Sequence, residues 1–188
     1  GCMAERYGDE LAAALPELVL LREPGGVPAS ERLRDLVKDP DLALTDRAEA
    51  LVFAAARAQL IAERLRPLLA SGTDVLLDRF VDSSLAYQGG GRKLGVAEIA
   101  ALNLFATDGL TPDLTLYVRV PPEVGAARRE GGDRLEQSGD TFFTDTAAVY
   151  DQLAEQYPER IVVLDGTQPA EQVLADGLRI AKVALSGG

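Results

Sequence analysis

Short apolar runs rich in Val, Ile and Leu alternate along this chain with longer segments in which apolar residues recur at helical spacing. Runs of this length and composition are typical of buried strands. The pattern predicts four strands, at residues 18–21, 75–77, 114–120 and 161–164. Because helical segments separate them, we expect alternating β and α elements around a parallel sheet, which is an α/β fold.

The clearest helical pattern extends from about residue 46 to residue 69, with Thr45 or Asp46 as the expected N-cap. Its apolar residues form a broad stripe, and charged residues, Glu49 among them, supply the polar positions. Further helices are predicted at residues 96–108, 144–156 and 170–183, and another begins at Pro122. The chain shows no repeat, linker or low-complexity tract, so its 188 residues, 47% of them hydrophobic, predict one domain over 1–188.

The charge balance limits the partners that the protein can have. Thirty acidic residues against 19 basic ones give a formal charge of −11, which argues against broad binding of nucleic acid or of an anionic membrane. No apolar run is long enough to span a bilayer, and no export leader is visible, so we expect a cytoplasmic protein. The single cysteine, Cys2, excludes an internal disulfide. The absence of histidine removes the usual neutral-pH base and the commonest zinc ligand.

Unusual residues follow each predicted strand, and we expect all four groups at one edge of the sheet, where ligands bind in parallel α/β folds. The most informative group is Asp78–Arg79. An aspartate there suits a magnesium ion held through water, and an arginine offers a bidentate donor to phosphate. The alternative is a salt-bridged pair that only ends the strand.

Other motifs are weaker when each is taken alone. Residues 23–26 form a rigid turn with permissive glycines, which is also common in plain loops. Phe53 and Arg57 share a helix face, so the ring could stack on a planar group while the arginine bonds to the edge of that group. The alternative is a core phenylalanine beside a solvated arginine.

Residues 88–93 are glycine-rich but lack the strand and the Gly-Lys-Ser/Thr ending of a phosphate loop, which predicts a flexible turn. Residues 128–136 carry three arginines and two glycines and suit either a mobile flap over a phosphate or a solvated charged loop.

Taken together, these motifs resemble the thymidylate kinase family. The resemblance extends from about residue 20 to residue 183. Its first motifs are Arg-Glu-Pro-Gly-Gly-x-Pro at residues 22–28, followed by Glu31 and Arg34, and the pair Phe53 and Arg57. The later motifs are the uninterrupted block 78–89, the arginine-rich segment 128–136 and Thr-Gln-Pro at 167–169. It implies a three-layer P-loop NTPase-type kinase fold, whose central parallel sheet normally has five strands flanked by helices. It also implies transfer of the ATP γ-phosphoryl group to dTMP with Mg²⁺, giving dTDP, in a homodimer with a lid at about 128–140.

The resemblance also implies roles for individual residues. Phe53 would stack on thymine, Arg57 would bond the exocyclic oxygen of the base, and Tyr87 would crowd the sugar 2′ position. Arg79 would hold the dTMP phosphate, and Asp78 would lie near the metal and its waters. The remaining implied substrate contacts are Glu23, Pro24, Leu36, Ser84, Gln88, Asp133 and Glu136. The lid arginines that would neutralise the transferring group are Arg128, Arg129 and Arg134. Thr167 and Gln168 would border the adenine.

One part of the family pattern is missing. The sequence contains no Gly-x-x-x-x-Gly-Lys-Ser/Thr stretch and no strand that would carry it. We expect that these residues precede Gly1, because a central buried strand cannot be lost without exposing unpaired backbone; the alternative is that the protein truly lacks them. The short lid predicts further missing residues between Arg129 and Gly131. Two other functions stay open: a kinase for another nucleoside monophosphate, and a catalytically inactive nucleotide-binding relative.

Overall fold

Four parallel strands form the frame of the computed structural model, which describes residues 10–11, 13–127 and 138–186. They are β1 (Val19–Arg22), β2 (Val75–Asp78), β3 (Thr115–Arg119) and β4 (Ile161–Asp165), each close to its predicted position. Within the described residues, β1 pairs with β2 and β3 pairs with β4, giving two sheets of two strands each. The expectation of a single central sheet is therefore not met in this part of the chain, because no described strand joins β2 to β3.

Helices follow every strand, which confirms the alternating α/β pattern. They are α1 (Pro28–Lys38), α2 (Asp46–Leu60), α3 (Arg66–Ala70), α4 (Val81–Ser84), α5 (Val96–Thr107), α6 (Pro122–Ala127), α7 (Asp140–Gln156) and α8 (Ala170–Ser186). Short π-helical segments connect α2 to α3 and extend α4 as far as Gly91. The predicted helix 46–69 is thus continuous, and Thr45 is its cap, because its side chain accepts a hydrogen bond from the Ala48 N–H. No helix of the described ranges has both the length and the apolar character needed to cross a bilayer.

Two apolar clusters hold the segment after β2 in place. Phe80 packs with Leu21, Leu60 and other residues of β1 and α2. Leu85 packs in a second cluster with residues from α2, α5, α7 and β4. The polar side chains between Phe80 and Leu85 are therefore carried on backbone that is anchored on both sides, as a rigid site requires.

Residues 88–91 of the glycine-rich segment are packed helix and only the last two residues of 88–93 lie outside it, so the prediction of a flexible turn over the whole segment was wrong. Residues Leu85–Gly91 form a π-helix that lies against α7. A Cβ atom at Gly90 would lie 2.6 Å from Val149 Cγ2, and one at Gly91 would lie 2.6 Å from Phe142 Cε2. The glycines are therefore needed for close helix contact, a use of glycine that composition alone does not distinguish from a loop.

Candidate functional site

The carboxyl ends of β1 and β2 lie side by side. Arg22 is in register with Asp78, and the Glu23 N–H donates to the Asp78 carbonyl at 2.9 Å. The two motifs that follow these strands, at residues 23–26 and 78–79, therefore begin at the same point of the fold. This is the position at which parallel strands present side chains to a ligand.

Helix α1 holds the loop that follows β1. Glu31 accepts hydrogen bonds from Arg22 Nη2 at 2.9 Å and from the Gly26 N–H at 2.7 Å, and Arg34 donates to the Pro24 carbonyl at 2.9 Å. Gly25 has a φ of 132°, and a Cβ there would lie 2.7 Å from Glu31 Oε1. The spacing of Glu31 and Arg34 after the Pro-Gly-Gly turn thus has a structural explanation: both side chains fix the loop.

Arg57 is the centre of a buried polar cluster, with 3% of its surface exposed. Its Nε and Nη2 atoms contact Glu23 Oε2 at 2.7 and 2.6 Å. Its Nη1 atom donates to Ser84 Oγ at 2.9 Å and to Asn103 Oδ1, and its Nη2 atom donates to the Phe80 carbonyl at 3.2 Å. A guanidinium has five N–H groups, and these contacts comprise four hydrogen bonds and one ion-pair contact from Nη2 to Glu23. The alternative of a solvated arginine at this position was therefore wrong.

Glu23 shares the burial of Arg57, with 4% of its surface exposed. Burial raises the pKa of the Glu23 carboxyl, and the charge of Arg57 and its hydrogen bond oppose that shift. Oε2 is paired with Arg57, whereas Oε1 has no hydrogen-bond partner among the residues that the structure describes. The carboxylate thus keeps one acceptor without a partner there, at the edge of the cluster around Arg57.

Arg79 lies in strained backbone directly after β2. Its φ is 66°, in the left-handed region that a residue with a side chain seldom adopts and that costs of order 1–3 kcal/mol. Its guanidinium lies over the ring of Tyr87, 5.0 Å from the ring centre. Two residues that the sequence separates by eight positions are therefore brought into contact. Strain of this kind is typical of functional positions.

Gln88 and Ser84 occupy successive turns of the helical segment α4–Gly91 and both face α2. Ser84 contacts Arg57, and Gln88 Nε2 donates to Glu49 Oε1 at 3.0 Å. Phe53 lies midway between Glu49 and Arg57 along α2 and is half-buried. Glu49, one of the predicted polar positions of this helix, is completely buried, with an exposed fraction of 0%.

The ends of β3 and β4 carry a different arrangement. Asp165 accepts hydrogen bonds from the Thr167 N–H at 2.9 Å, the Thr167 hydroxyl at 2.6 Å and Gln168 Nε2 at 3.0 Å. The bond from the Thr167 hydroxyl, followed by those from Gln168 and the Thr167 backbone, lowers the pKa of Asp165 to about 2. All three residues are exposed. Thr167 lines a cleft of about 630 Å³ together with residues of β3, β4 and α7.

Comparison with known proteins identifies the family. The profile of the family described as Thymidylate kinase matches residues 4–176. The chain is 49% identical over 170 residues to the thymidylate kinase of Latilactobacillus sakei, covering 87% of this chain and 79% of that protein. It is 48% identical over 176 residues to the thymidylate kinase of Pseudomonas putida, covering 89% of this chain and 84% of that one. The chain belongs to the thymidylate kinase family. The resemblance inferred from the motifs is thereby confirmed.

The described residues that thymidylate kinase motifs single out fall into two groups in the structure. A first group lies around the ends of β1 and β2; Pro24 follows β1, Leu36 lies on α1, and both are half-buried. A second group, Thr167 and Gln168, lies at the end of β4. The lid residues Arg128, Arg129, Asp133, Arg134 and Glu136 lie outside the described residues.

Sequence reasoning missed two buried residues of this thymidylate kinase chain. Asn103 on α5 has 2% of its surface exposed; its Nδ2 donates to the Ile99 carbonyl at 2.7 Å, and its Oδ1 accepts from Arg57. Glu49 is the other. A signal existed for Glu49, since Glu49, Phe53 and Arg57 are spaced by four residues and therefore share one face of α2. No comparable signal marked Asn103.

Proposed function

We propose that this protein transfers the γ-phosphoryl group of ATP to dTMP, giving dTDP for DNA-precursor synthesis. Membership of the thymidylate kinase family supports the proposal. The observation that carries it is the convergence of Arg57, Ser84 and Gln88 around one side of α2, next to the half-buried ring of Phe53. Phosphoryl transfer depends mostly on positioning and charge neutralisation, for which such an arrangement is suited.

The half-buried ring of Phe53 supports a stacking role on thymine, because Arg57 and Glu49 fix polar groups on either side of it along the helix.

The role of Arg57 needs one refinement. Since Arg57 already donates four hydrogen bonds within the protein and is paired with Glu23, a bond to the thymine oxygen uses the remaining N–H group or shares one of those already bonded. The N–H group that bonds to Ser84 is best suited to being shared, because the Ser84 hydroxyl can rotate and form another hydrogen bond.

Arg79 and Asp78 are proposed to act at the phosphates. An arginine held next to a strand end by strained backbone would be a fixed donor for the dTMP phosphate, and its stacking on Tyr87 supports a position of that ring near the sugar. Tyr87 would then disfavour a 2′-hydroxyl. We propose that Glu23, Pro24 and Leu36 line the nucleoside side of this space. Asp133 and Glu136 would contact the sugar from the lid.

Mg²⁺ fits the same edge of the fold. The described residues contain no group of three or more His, Cys, Asp or Glu side chains that could hold a metal. Mg²⁺ is commonly held by one or two carboxylates together with substrate phosphates and water, which supports the proposal that Asp78, at the strand end, would hold the ion through water. When bound, the ion would neutralise charge on the phosphates.

ATP is proposed to lie toward the other strand pair. Thr167 and Gln168 would border the adenine, and Arg128, Arg129 and Arg134 would neutralise the transferring group. We also propose the three-layer kinase fold with a five-stranded parallel sheet in one domain, acting in the cytoplasm, which membership of the family supports.

We also propose a homodimer, formed through α2 and α5. Leu51, Leu104 and Phe105 on these helices are 58%, 65% and 88% exposed, and apolar side chains of this size favour burial against a partner. Phe105→Glu should give a monomer in light-scattering measurements. Val183→Glu, on the 71% exposed Val183 of α8, is the matched control and should leave the dimer intact. A dimer that survives Phe105→Glu would contradict this surface.

The proposed activity is tested by measuring kcat/KM with ATP and Mg²⁺ for dTMP, dUMP, dCMP and thymidine. We expect dTMP to have the highest value. Preference for another nucleotide would indicate a different nucleoside monophosphate kinase. Binding of dTMP without turnover would indicate an inactive nucleotide-binding relative, and calorimetry with dTMP detects that case.

A further inference from the structure

Glu49 is a completely buried carboxylate outside the residues to which the family motifs give a role. Its Oε1 accepts hydrogen bonds from Gln88 Nε2 at 3.0 Å and from Arg92 Nε at 3.2 Å, and its Oε2 accepts from Arg92 Nη2 at 3.0 Å. Burying a charge costs free energy unless it is paired and hydrogen-bonded. A carboxylate with 0% exposure therefore depends on buried donors, and Gln88 and Arg92 are two of them.

The second partner of Glu49 is itself held firmly. Arg92 has a side chain that is 16% exposed and lies 4.6 Å from the ring centre of Phe142 on α7, with a further contact of 3.5 Å to Asp46. The Arg92 guanidinium therefore neutralises Glu49 and restricts its movement. With Arg92 fixed by packing, the carboxylate is a stationary acceptor for Gln88.

A stationary carboxylate sets the orientation of the Gln88 side chain. An ionised carboxylate only accepts hydrogen bonds, whereas an amide has a donating Nε2 end and an accepting Oε1 end. Only the Nε2 end of Gln88 can therefore face Glu49, which leaves the Oε1 end for another contact. Gln88 is 3% exposed and lies one helical turn from Ser84, which contacts Arg57.

We propose that Glu49 is a positioning residue that fixes the Gln88 amide so that its oxygen meets a donor on the pyrimidine ring. This inference rests on the proposed function. Thymine carries an N–H at ring position 3, whereas cytosine carries an unprotonated acceptor there. A fixed acceptor favours the first base and repels the second, because two facing acceptors leave buried groups unsatisfied. Glu49 thereby contributes to selectivity for dTMP over dCMP without touching either.

A double-mutant cycle in equilibrium binding tests this role. The dissociation constants of dTMP and dCMP are measured by calorimetry for the wild type, Glu49→Gln, Gln88→Met and the double variant. Because a glutamine at position 49 can present either end of its amide, we expect Glu49→Gln to weaken dTMP binding by about tenfold, the usual size of a lost hydrogen bond in a buried site, and to reduce the preference over dCMP. In the Gln88→Met background the same change should have little further effect.

The outcomes separate this inference from the proposed function. A wild type that binds no dTMP overturns both. A wild type that binds dTMP, with Glu49→Gln unchanged or with the same loss in both backgrounds, overturns the positioning role alone. Asp82→Asn is the control for a general loss of packing, since Asp82 is also buried and is paired with Arg160 at 2.7 and 2.8 Å. It should lower the melting temperature without changing the dTMP-to-dCMP preference.

A second measurement does not depend on the folding of the Glu49 variant. In nitrogen-15 spectra of the wild type, the side-chain amide of Gln88, assigned by its loss in Gln88→Met, should exchange slowly with solvent. It should shift on addition of dTMP and respond less to dCMP. An amide that exchanges rapidly, or one that shifts equally with both nucleotides, would contradict the proposal.

Discussion

The two strand pairs of this protein end in clusters that are built on different principles. At the β1–β2 end, Arg57 of α2 bonds to residues of three other segments, namely the turn after β1, the stretch after β2 and helix α5, and Arg57 and Glu23 are 3% and 4% exposed. At the β3–β4 end, Asp165 bonds only to nearby residues in the contacts described, Thr167 and Gln168, and all three are exposed. The first cluster is made by tertiary packing, and the second by the local sequence of one turn.

This difference has a consequence for binding. A buried network of charge-assisted hydrogen bonds holds its groups in one geometry before a ligand arrives, which reduces the cost of ordering them on binding. An exposed turn is held by weaker, solvent-screened contacts and can adapt. We therefore expect the affinity for the thymine base to be sensitive to single substitutions around Arg57. The affinity for ATP, whose adenine is proposed to lie near Thr167 and Gln168, should tolerate substitutions at Asp165.

The largest effect is expected for Arg57→Ala. We predict that it raises the KM for dTMP strongly while leaving the KM for ATP almost unchanged. It should also lower the free energy of unfolding by about 3–5 kcal/mol, because it leaves the Glu23 carboxylate buried without its partner. Steady-state kinetics and denaturant unfolding measure the two effects. An unchanged KM for dTMP would remove the base-binding role.

The double variant Glu23→Gln with Arg57→Met separates binding from stability. Removing both charges avoids the isolated buried carboxylate, so much of the lost stability should return. The affinity for dTMP should not return, because the guanidinium is still absent. If affinity recovers together with stability, Arg57 acts through folding and not through the base.

A smaller effect is expected for Arg79→Ala. We predict a fall in kcat/KM for dTMP of at least about tenfold, since a charge-assisted contact to phosphate is worth about 1.5–3 kcal/mol. Arg66→Ala is the matched control, because Arg66 forms an ion pair with Asp108 in which the side chains are 45% and 93% exposed. Turnover close to normal in Arg79→Ala would contradict the phosphate assignment.

The smallest effect is expected at Asp165 and depends on pH. The folded-state pKa of Asp165 is lowered from its ordinary value of 3.8 to about 2, so its hydrogen bonds stabilise the fold above about pH 4 and are lost as the pH falls toward 2. Asp165→Asn should therefore lower the melting temperature slightly at neutral pH, and the gap to the wild type should close on acidification. A gap that stays constant across this range would show that the charge of Asp165 does not contribute.

The contrast between the clusters also explains what the sequence could predict. The four strands, the Thr45 cap and the long helix after it follow from local patterns of apolar and capping residues, and the structure confirms them. The burial of Glu49 and the packing of Gly90 and Gly91 against α7 depend on partners distant in sequence, so local patterns did not predict the first and gave a wrong expectation for the second. Helix α1 was not predicted, because its proline and glycine context also fits a loop.

The candidate site divides in the same way. Family motifs were enough to select Phe53, Arg57, Arg79 and Tyr87, and their roles toward a nucleotide stay predictions. The motifs did not indicate that Arg57 is held by Asn103, since a buried asparagine on α5 is visible only once the helices are packed together.

The crystal structure of the protein with dTMP tests the central claim most directly, namely that arginines distant in sequence converge on one nucleotide. We predict that thymine stacks on Phe53 beside Arg57 and Gln88, with the phosphate at Arg79. A nucleotide bound away from α2, or one whose phosphate lies far from the end of β2, would contradict the account.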